Sequence, residues 1–477
     1  MKNVSLSLYG FHQRDYLDDA PNAATFEAQG IWESVTQVSE YLPFKELKTL
    51  KSQLISYQYD KEIDDYQYQP QREEVLKTEW LTQNGRPIEF TPILTQSGFK
   101  LGGTLQPFRL HDTYCLDITI TPEVGEIEIE FRQIAAFKPQ VLINNITADL
   151  GKVLTLYGEC DEESQLSLNE AERWAIALCA NSPLEPQFLS EIKLFNCPCF
   201  LFESDDVTII IALSQPNQFD SQQANSDYDW LRDLFWTQKK ILATYREAHK
   251  SYQEARKIYG GLEKTMDRLD EIVKQPFSQR LNSLEILVKD IPQKLLYYNR
   301  FLRDLEVHHN TINDNLDNFK TCLSHLLKYK NNELVFWSTL SHKKYPQYLR
   351  QIKTHLAYLE PSKDLLFSDL ITTIRTTTEI EKAKSNQDVQ DNLQALGVGL
   401  TLGGVAAGRS GLLTEPWSWK GETVELELPF PPFLVAMFLG LGFAILGYLG
   451  TRCLIKRKRS PTPKSRKMDE SGEATHV

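Results

Sequence analysis

The sequence predicts an α+β cytosolic N-terminal domain, a long α-helical coiled-coil region after it, and two C-terminal transmembrane helices. Three observations lead there. Strand-like and helix-like periodicities mix up to about residue 220, an apolar repeat of three and four follows, and two uncharged apolar stretches come near the end of the chain.

Taken in order, residues 4–9 alternate as a strand, and 24–41 and 44–57 carry helical spacing. Residues 113–121 and 126–131 alternate again, with Pro122 to Gly125 as a hairpin turn between them. Ser167 with Glu170 matches a capping box at the head of a helix that runs to Cys179. Apolar runs at 194–202 and 207–213 flank the acidic turn of Glu203, Asp205 and Asp206, which is a surface hairpin tip or a weak cation site. The polar segment 215–226, rich in turn formers, sets the end of an acidic α/β domain at 1–220.

Residues 227–360 read as the helical coiled-coil region. One helix covers 227–275, is interrupted at Gly260-Gly261 and is ended by Pro276. From Leu281 through Ile291, Tyr298, Leu305, Ile312 and Phe319 to Leu326, seam positions alternate by three and four without a slip, as in a coiled-coil contact. Pro292 lies inside this seam with Asp290 as an N-cap two residues before it, so two helices in register are expected. His309 is the polar member, with His308 and His325 nearby; it is a hydrogen-bonded register-setter or a pH-sensitive or metal-binding group. A second seam from Leu349 and Ile352 to Ile380 contains Pro361 at an expected helix start, and a stalk helix at 361–391 follows.

The stalk leads into the first expected span, 392–413. There Gly399, Gly403, Gly404 and Gly408 form two GxxxG spacings for close helix packing, and Asn392 and Thr401 join them as pore-lining candidates. An outer loop at 414–432 and a second span at 433–455 come next; 433–451 is free of charge, near the roughly 20 residues that cross a bilayer. The tail 456–477 is basic and disordered by composition, and opens on the collar Lys456, Arg457, Lys458 and Arg459. The positive-inside rule places this collar in the cytoplasm, and no export signal opens the chain, so both termini are expected there in a multi-pass membrane protein.

Residues 1–226 hold 16 Lys and Arg against 34 Asp and Glu, while the rest holds 36 against 30. So acidic a domain argues against nucleic acid as a partner and suits a solvated surface, a cation or a basic partner. Seven cysteines, with Cys197-Pro-Cys199 as the single close pair, suit free thiols rather than a zinc site. No phosphate loop, nucleophile elbow or zinc-protease signature is present, so the chain is expected not to be an enzyme and to have no cofactor beyond a divalent cation such as Mg.

This layout, with an acidic domain, a coiled-coil region, a long helix running into a first span, a short loop, a second span and a basic cluster at 456–459, resembles the CorA family of divalent-cation channels. In that family the first span ends in Gly-Met-Asn, where this chain has Gly408, Arg409, Ser410 and Gly411. The resemblance implies a homopentamer in the lipid bilayer, with the first spans around the axis and the basic collar outside them. Two functions from different classes are then in view. One is a cation channel gated by its cytosolic domain, and the other is a sensor or scaffold that the two spans merely tether and oligomerise.

Overall fold

The computed structural model describes residues 1–15, 26–75, 79–161, 166–180 and 182–365, then 372, 374, 376, 397, 418–420, 425–427, 441–442 and 444–451. The chain divides into two compact units, Met1–Tyr252 with Arg303–Leu356, and Gln253–Leu302 with Ala357–Val477.

In chain order the elements are β1 (Lys2–Gln13), α1 (Gly30–Val38), α2 (Lys45–Lys48), β2 (Tyr57–Asp60), β3 (Asp65–Tyr68), β4 (Ile88–Leu94), β5 (Lys100–Leu110) and β6 (Thr113–Pro122). Then come α3 (Pro139–Asn145), β7 (Gly151–Glu159), α4 (Leu168–Cys179), β8 (Gln187–Leu194), β9 (Cys197–Ser204), β10 (Val207–Ser214) and α5 (Ser221–Ser226). Four helices come after these: α6 (Tyr228–Val273), α7 (Phe277–Leu326), α8 (Val335–Thr339) and α9 (Tyr345–Leu365).

The first unit is built on an eight-stranded sheet in the order β4-β5-β6-β1-β7-β10-β9-β8, antiparallel except where β10 runs parallel to β7. Successive side chains of a strand point to opposite faces. Leu6 and Leu8 of β1, Leu116 and Ile118 of β6 and Leu154 and Leu156 of β7 join one core with Ile31 and Trp32 of α1, Leu142 of α3 and Trp174 of α4. The intervening residues face α6: Tyr9 meets the Phe235 ring at 5.3 Å, Trp236 Nε1 donates to Thr113 Oγ1 and Tyr228 OH donates to Asp117. Both faces are covered, which is why β1 is buried at nearly every position instead of alternating.

Several local expectations give way to tertiary pairing. Residues 126–131 form no strand, because β6 is already bonded to β1 on one side and β5 on the other and offers no free edge to a hairpin partner. The apolar run at 194–202 splits instead at a two-residue turn, Phe195 and Asn196, both with positive φ, which matches the twist of the β8–β9 hairpin. Ser167 is the N-cap residue of α4 but makes no side-chain cap bond, and Glu170 turns to Arg173 and Trp174.

The α7 seam is buried as the repeat demands: Leu284, Ile291, Leu295, Tyr298, Leu302, Leu305, Ile312, Leu316, Phe319, Leu323 and Leu326 all belong to core. Pro292, however, does not start a helix; α7 is continuous through it, and Asp290 pairs with Lys294 at 2.6 Å instead of capping. A mid-helix proline costs about 3 kcal/mol, and here the buried Ile291 and Leu295 on either side offset it. Likewise α6 passes unbroken through Gly260-Gly261 and α9 through Pro361. In the second unit Leu262, Leu269, Leu284, Ile291, Leu295 and Ile374 form a core of their own, and Tyr298 OH donates to Leu359 O at 2.8 Å.

The expected transmembrane pair is overturned. Among the described residues no helix is long and apolar enough to cross a membrane. The expected outer loop carries a small antiparallel ladder, β11 (Ser418–Lys420) with β12 (Glu425–Glu427). Lack of charge was the sequence signal for a span, and the glycines within both runs each lower helix propensity by about 1 kcal/mol relative to alanine. This corrects the predicted fold class in its membrane part and the predicted multi-pass placement with cytoplasmic termini. It also leaves the membrane, transmembrane, ion-transport, magnesium and CorA-like descriptors without support. Asn392, Gly399, Thr401, Gly403, Gly404, Gly408 and the collar Lys456 to Arg459 lie outside the described residues.

Candidate functional site

Among the described residues no group of three or more His, Cys, Asp or Glu side chains is arranged to hold a metal ion. The acidic turn of Glu203, Asp205 and Asp206 is the tip of the β9–β10 hairpin, and its charge is met by the protein's own cations. Arg246 pairs with the Asp206 carboxylate, and Lys239 Nζ donates to Asp206 O and Thr208 Oγ1, each at 2.9 Å. Burial pushes the Lys239 amine down to about 8. Cys197 and Cys199 are buried free thiols, and His309 lies on α7 beside Asn310.

Polar groups also line the interface of β6 with α6. Asp117 accepts from Tyr228 OH at 2.7 Å and from Thr119 Oγ1 at 3.0 Å, with Tyr9, Cys115 and Arg232 around it. Burial raises its carboxyl to about 6, against which the Tyr228 and Thr119 hydrogen bonds and the Arg232 charge pull down. An acid whose pKa is raised by folding binds its proton more tightly in the native state, so stability falls as pH rises through the window between the ordinary Asp value and about 6. Asp117→Asn is therefore expected to remove a loss on the order of 3 kcal/mol between pH 4 and pH 7. Urea unfolding of both proteins across that range checks it, and parallel pH profiles would refute it.

An exposed apolar hollow of the first unit lies where α7 gives way to α8. It has a volume of about 400 Å³ and is lined by Leu327, Leu334, Val335, Ser338 and Thr339, with Glu333, His342 and Lys343 at its rim. Val335 is 67 % exposed and Leu327 43 %. The hollow adjoins the sheet edge, because Glu333 exchanges backbone hydrogen bonds with Lys193 of β8 at 2.8 and 3.0 Å. Asn332 holds the corner: its Oδ1 accepts from Phe195 N at 2.6 Å, and its Nδ2 donates to Leu326 O at 2.7 Å.

The helical wall of the hollow contains an extra residue. Between α8 and α9 the chain makes a π turn, Leu340–Lys344. Trp337 and Tyr345 are eight residues apart, which in an uninterrupted α-helix sets them about 80° apart. The inserted residue brings them back to one face, so that both are buried, Trp337 against Phe235 and Tyr345 against Phe319. On the other side it leaves His342, Lys343 and Lys344 exposed, and His342 Nδ1 donates to Ser338 O at 2.8 Å. Such turns often occur at functional sites.

The two edges of the sheet differ. On β4 Pro92 has no N–H, the ladder is bulged between Phe90 and Ile93, and the Thr91 N–H is taken by Glu46 at 3.2 Å. These are the devices that blunt an edge. On the outer side of β8, among the described residues, the Glu333 bridge pairs with Lys193 alone, while Phe188 and Leu189 farther along are exposed. Lys343 lines the hollow, and Lys328, Lys330 and Lys344, close to its lining residues in sequence, are exposed.

None of the residues at the hollow was singled out by the sequence. The one trace it left is the eight-residue spacing of Trp337 and Tyr345, which breaks a helical face. A scan against protein-family models finds no match for the chain, and a search of curated proteins finds none either.

Proposed function

We propose that the chain is an interaction scaffold that works by binding rather than by turnover, and that its first unit captures an extended, acidic and apolar peptide segment of a partner. The carrying observation is the β8 edge joined to the hollow of Leu327 and Val335, which Lys343 also lines, with Lys328 and Lys344 exposed and next to lining residues in the chain. A strand laid along β8 gains backbone hydrogen bonds from the edge, and its alternate side chains gain pockets or charge partners. Apolar side chains suit Val335 and Leu327, and carboxylates suit Lys328, Lys343 and Lys344. This keeps the scaffold expectation without its membrane tether.

Fluorescence anisotropy tests the reading with a labelled peptide of about ten residues, alternating valine and glutamate, and its valine and lysine counterpart. The acidic peptide is expected to bind and the basic one not. Val335→Asp, at an exposed position where substitutions usually stay within about 0.5 kcal/mol of stability, is expected to weaken binding about tenfold. Equal binding of the two peptides, or a Val335→Asp protein that binds as well as the parent, would sink the proposal.

A further inference from the structure

The segment proposed for the β8 edge is extended and alternates carboxylates with apolar side chains, and the chain itself carries that pattern twice. Residues 126–131 read Glu-Ile-Glu-Ile-Glu-Phe, and residues 424–428 read Val-Glu-Leu-Glu-Leu. In a strand, alternation of this kind gives one apolar face and one charged face.

The first of the two is committed to its own unit. Ile129 is fully buried and exchanges backbone hydrogen bonds with Met1: its N–H donates to Met1 O at 2.7 Å, and the Met1 amine donates to Ile129 O at 3.0 Å. Ile127 packs against the same core, and the Phe131 ring stacks on Trp174 at 4.0 Å. This segment cannot leave without uncovering that core.

The second has an edge to offer. Its centre, Glu425–Glu427, is β12, which pairs antiparallel with β11 in a sheet of two strands. Among the described residues the other edge of β12 has no strand partner. A lone two-stranded hairpin is marginal in water, and further strands with an apolar face make such a unit stable. The charge also fits. Residues 414–432 hold four glutamates against one lysine, Lys420, which stands opposite Glu425 in the ladder, while Ser418 stands opposite Glu427. At the β8 edge Lys343 lines the hollow, and Lys328 and Lys344 are exposed next to lining residues in the chain. Opposite charges of this kind steer encounter and reject wrong partners.

On the peptide-binding reading of the β8 edge, we propose that the partner is a second copy of this chain, whose β12 lays its unpaired edge along β8 and so extends the eight-stranded sheet by β12 and β11. Val424, Leu426 and Leu428 fall on one face of that strand and suit the hollow of Leu327 and Val335. Pro429, Pro431 and Pro432 follow directly and have no N–H for a ladder, so the pattern is closed at that end. Each copy brings one edge and one strand.

Sedimentation velocity of the full chain reads the association, and fluorescence anisotropy reads binding of a labelled peptide of residues 421–430. The parent is expected to self-associate and to bind the peptide. Val335→Asp, which spoils the edge, and Glu425→Lys with Glu427→Lys, which reverses the strand, are each expected to weaken self-association about tenfold. Mixed in equal amounts, the two variants are expected to associate more tightly than either alone, because one keeps a sound strand and the other a sound edge. A parent that stays monomeric, variants that associate as the parent does, or a mixture that recovers nothing would each overturn the proposal. If the valine and glutamate peptide binds while the 421–430 peptide does not, the edge takes another partner and the second-copy assignment alone falls. If neither peptide binds, the edge is not a site and both fall.

Discussion

Arg14→Met is expected to cost the fold about 3–5 kcal/mol, the range for breaking a buried ion pair from one side. The methionine keeps the volume of the stem but strands Glu73 and Asp15, whose carboxylates lose the guanidinium that compensates their burial. Burial already raises the Glu73 carboxyl above its ordinary range, even though Tyr114, Arg14 and Arg109 oppose the shift. Equilibrium unfolding in urea measures the loss. Lys100→Met, which breaks the exposed pair with Glu123, is the control and is expected to change little. Replacing both partners, Arg14→Met with Glu73→Leu, is expected to recover part of the loss, because the charge that had been stranded is gone. An Arg14→Met protein within about 1 kcal/mol of the parent would mean that the cluster is not held by charge.

Gly103→Ala is expected to be as severe, by a different route. Gly103 sits in β5 between Phe90 of β4 and Ile120 of β6 with φ +144, a conformation rarely adopted by other residues. A Cβ there would lie 1.9 Å from the backbone oxygen of Thr119 and 3.0 Å from Ile120 Cα. No rotamer change relieves a clash between backbones, so the β5–β6 ladder has to open, at a loss of at least about 4 kcal/mol. Gly260→Ala is the contrasting case. Gly260 is interior to α6 with nothing within 4 Å of a new Cβ, and alanine there is expected to add about 0.5–1 kcal/mol. Thermal denaturation of the two variants separates them, and a Gly103→Ala protein that melts with the parent would show that the strand relaxes at this point.

The features legible in the chain came from the spacing of its apolar residues. The α7 seam from Leu284 to Leu326 was legible because a three-and-four repeat has one way to bury itself, along a helix. Strands β1 and β6 were legible at their centres from alternation of period two, and β10 from a continuous apolar run of strand length. The proline and glycine signals misled: Pro292, Pro361 and Gly260-Gly261 read as breaks, yet each lies within a continuous helix. Propensity is a few kcal/mol at most, and helix packing outweighs it.

Composition and periodicity by themselves determined the mixed α and β character of the first two hundred residues, the helical character of the region from Tyr228 to Leu365, and the acidic first half against a mildly basic remainder. Tertiary structure alone decided the order of the eight strands, the lack of a free β6 edge for residues 126–131, and the π turn that brings Trp337 and Tyr345 onto one face. It also brought Arg14, Glu73 and Tyr114 together across as many as 100 positions of sequence. The physical reason is range. Periodicity reports which side of an element avoids water, whereas strand partners, unmade donors and buried charge pairs depend on groups that meet only when the sheet has closed.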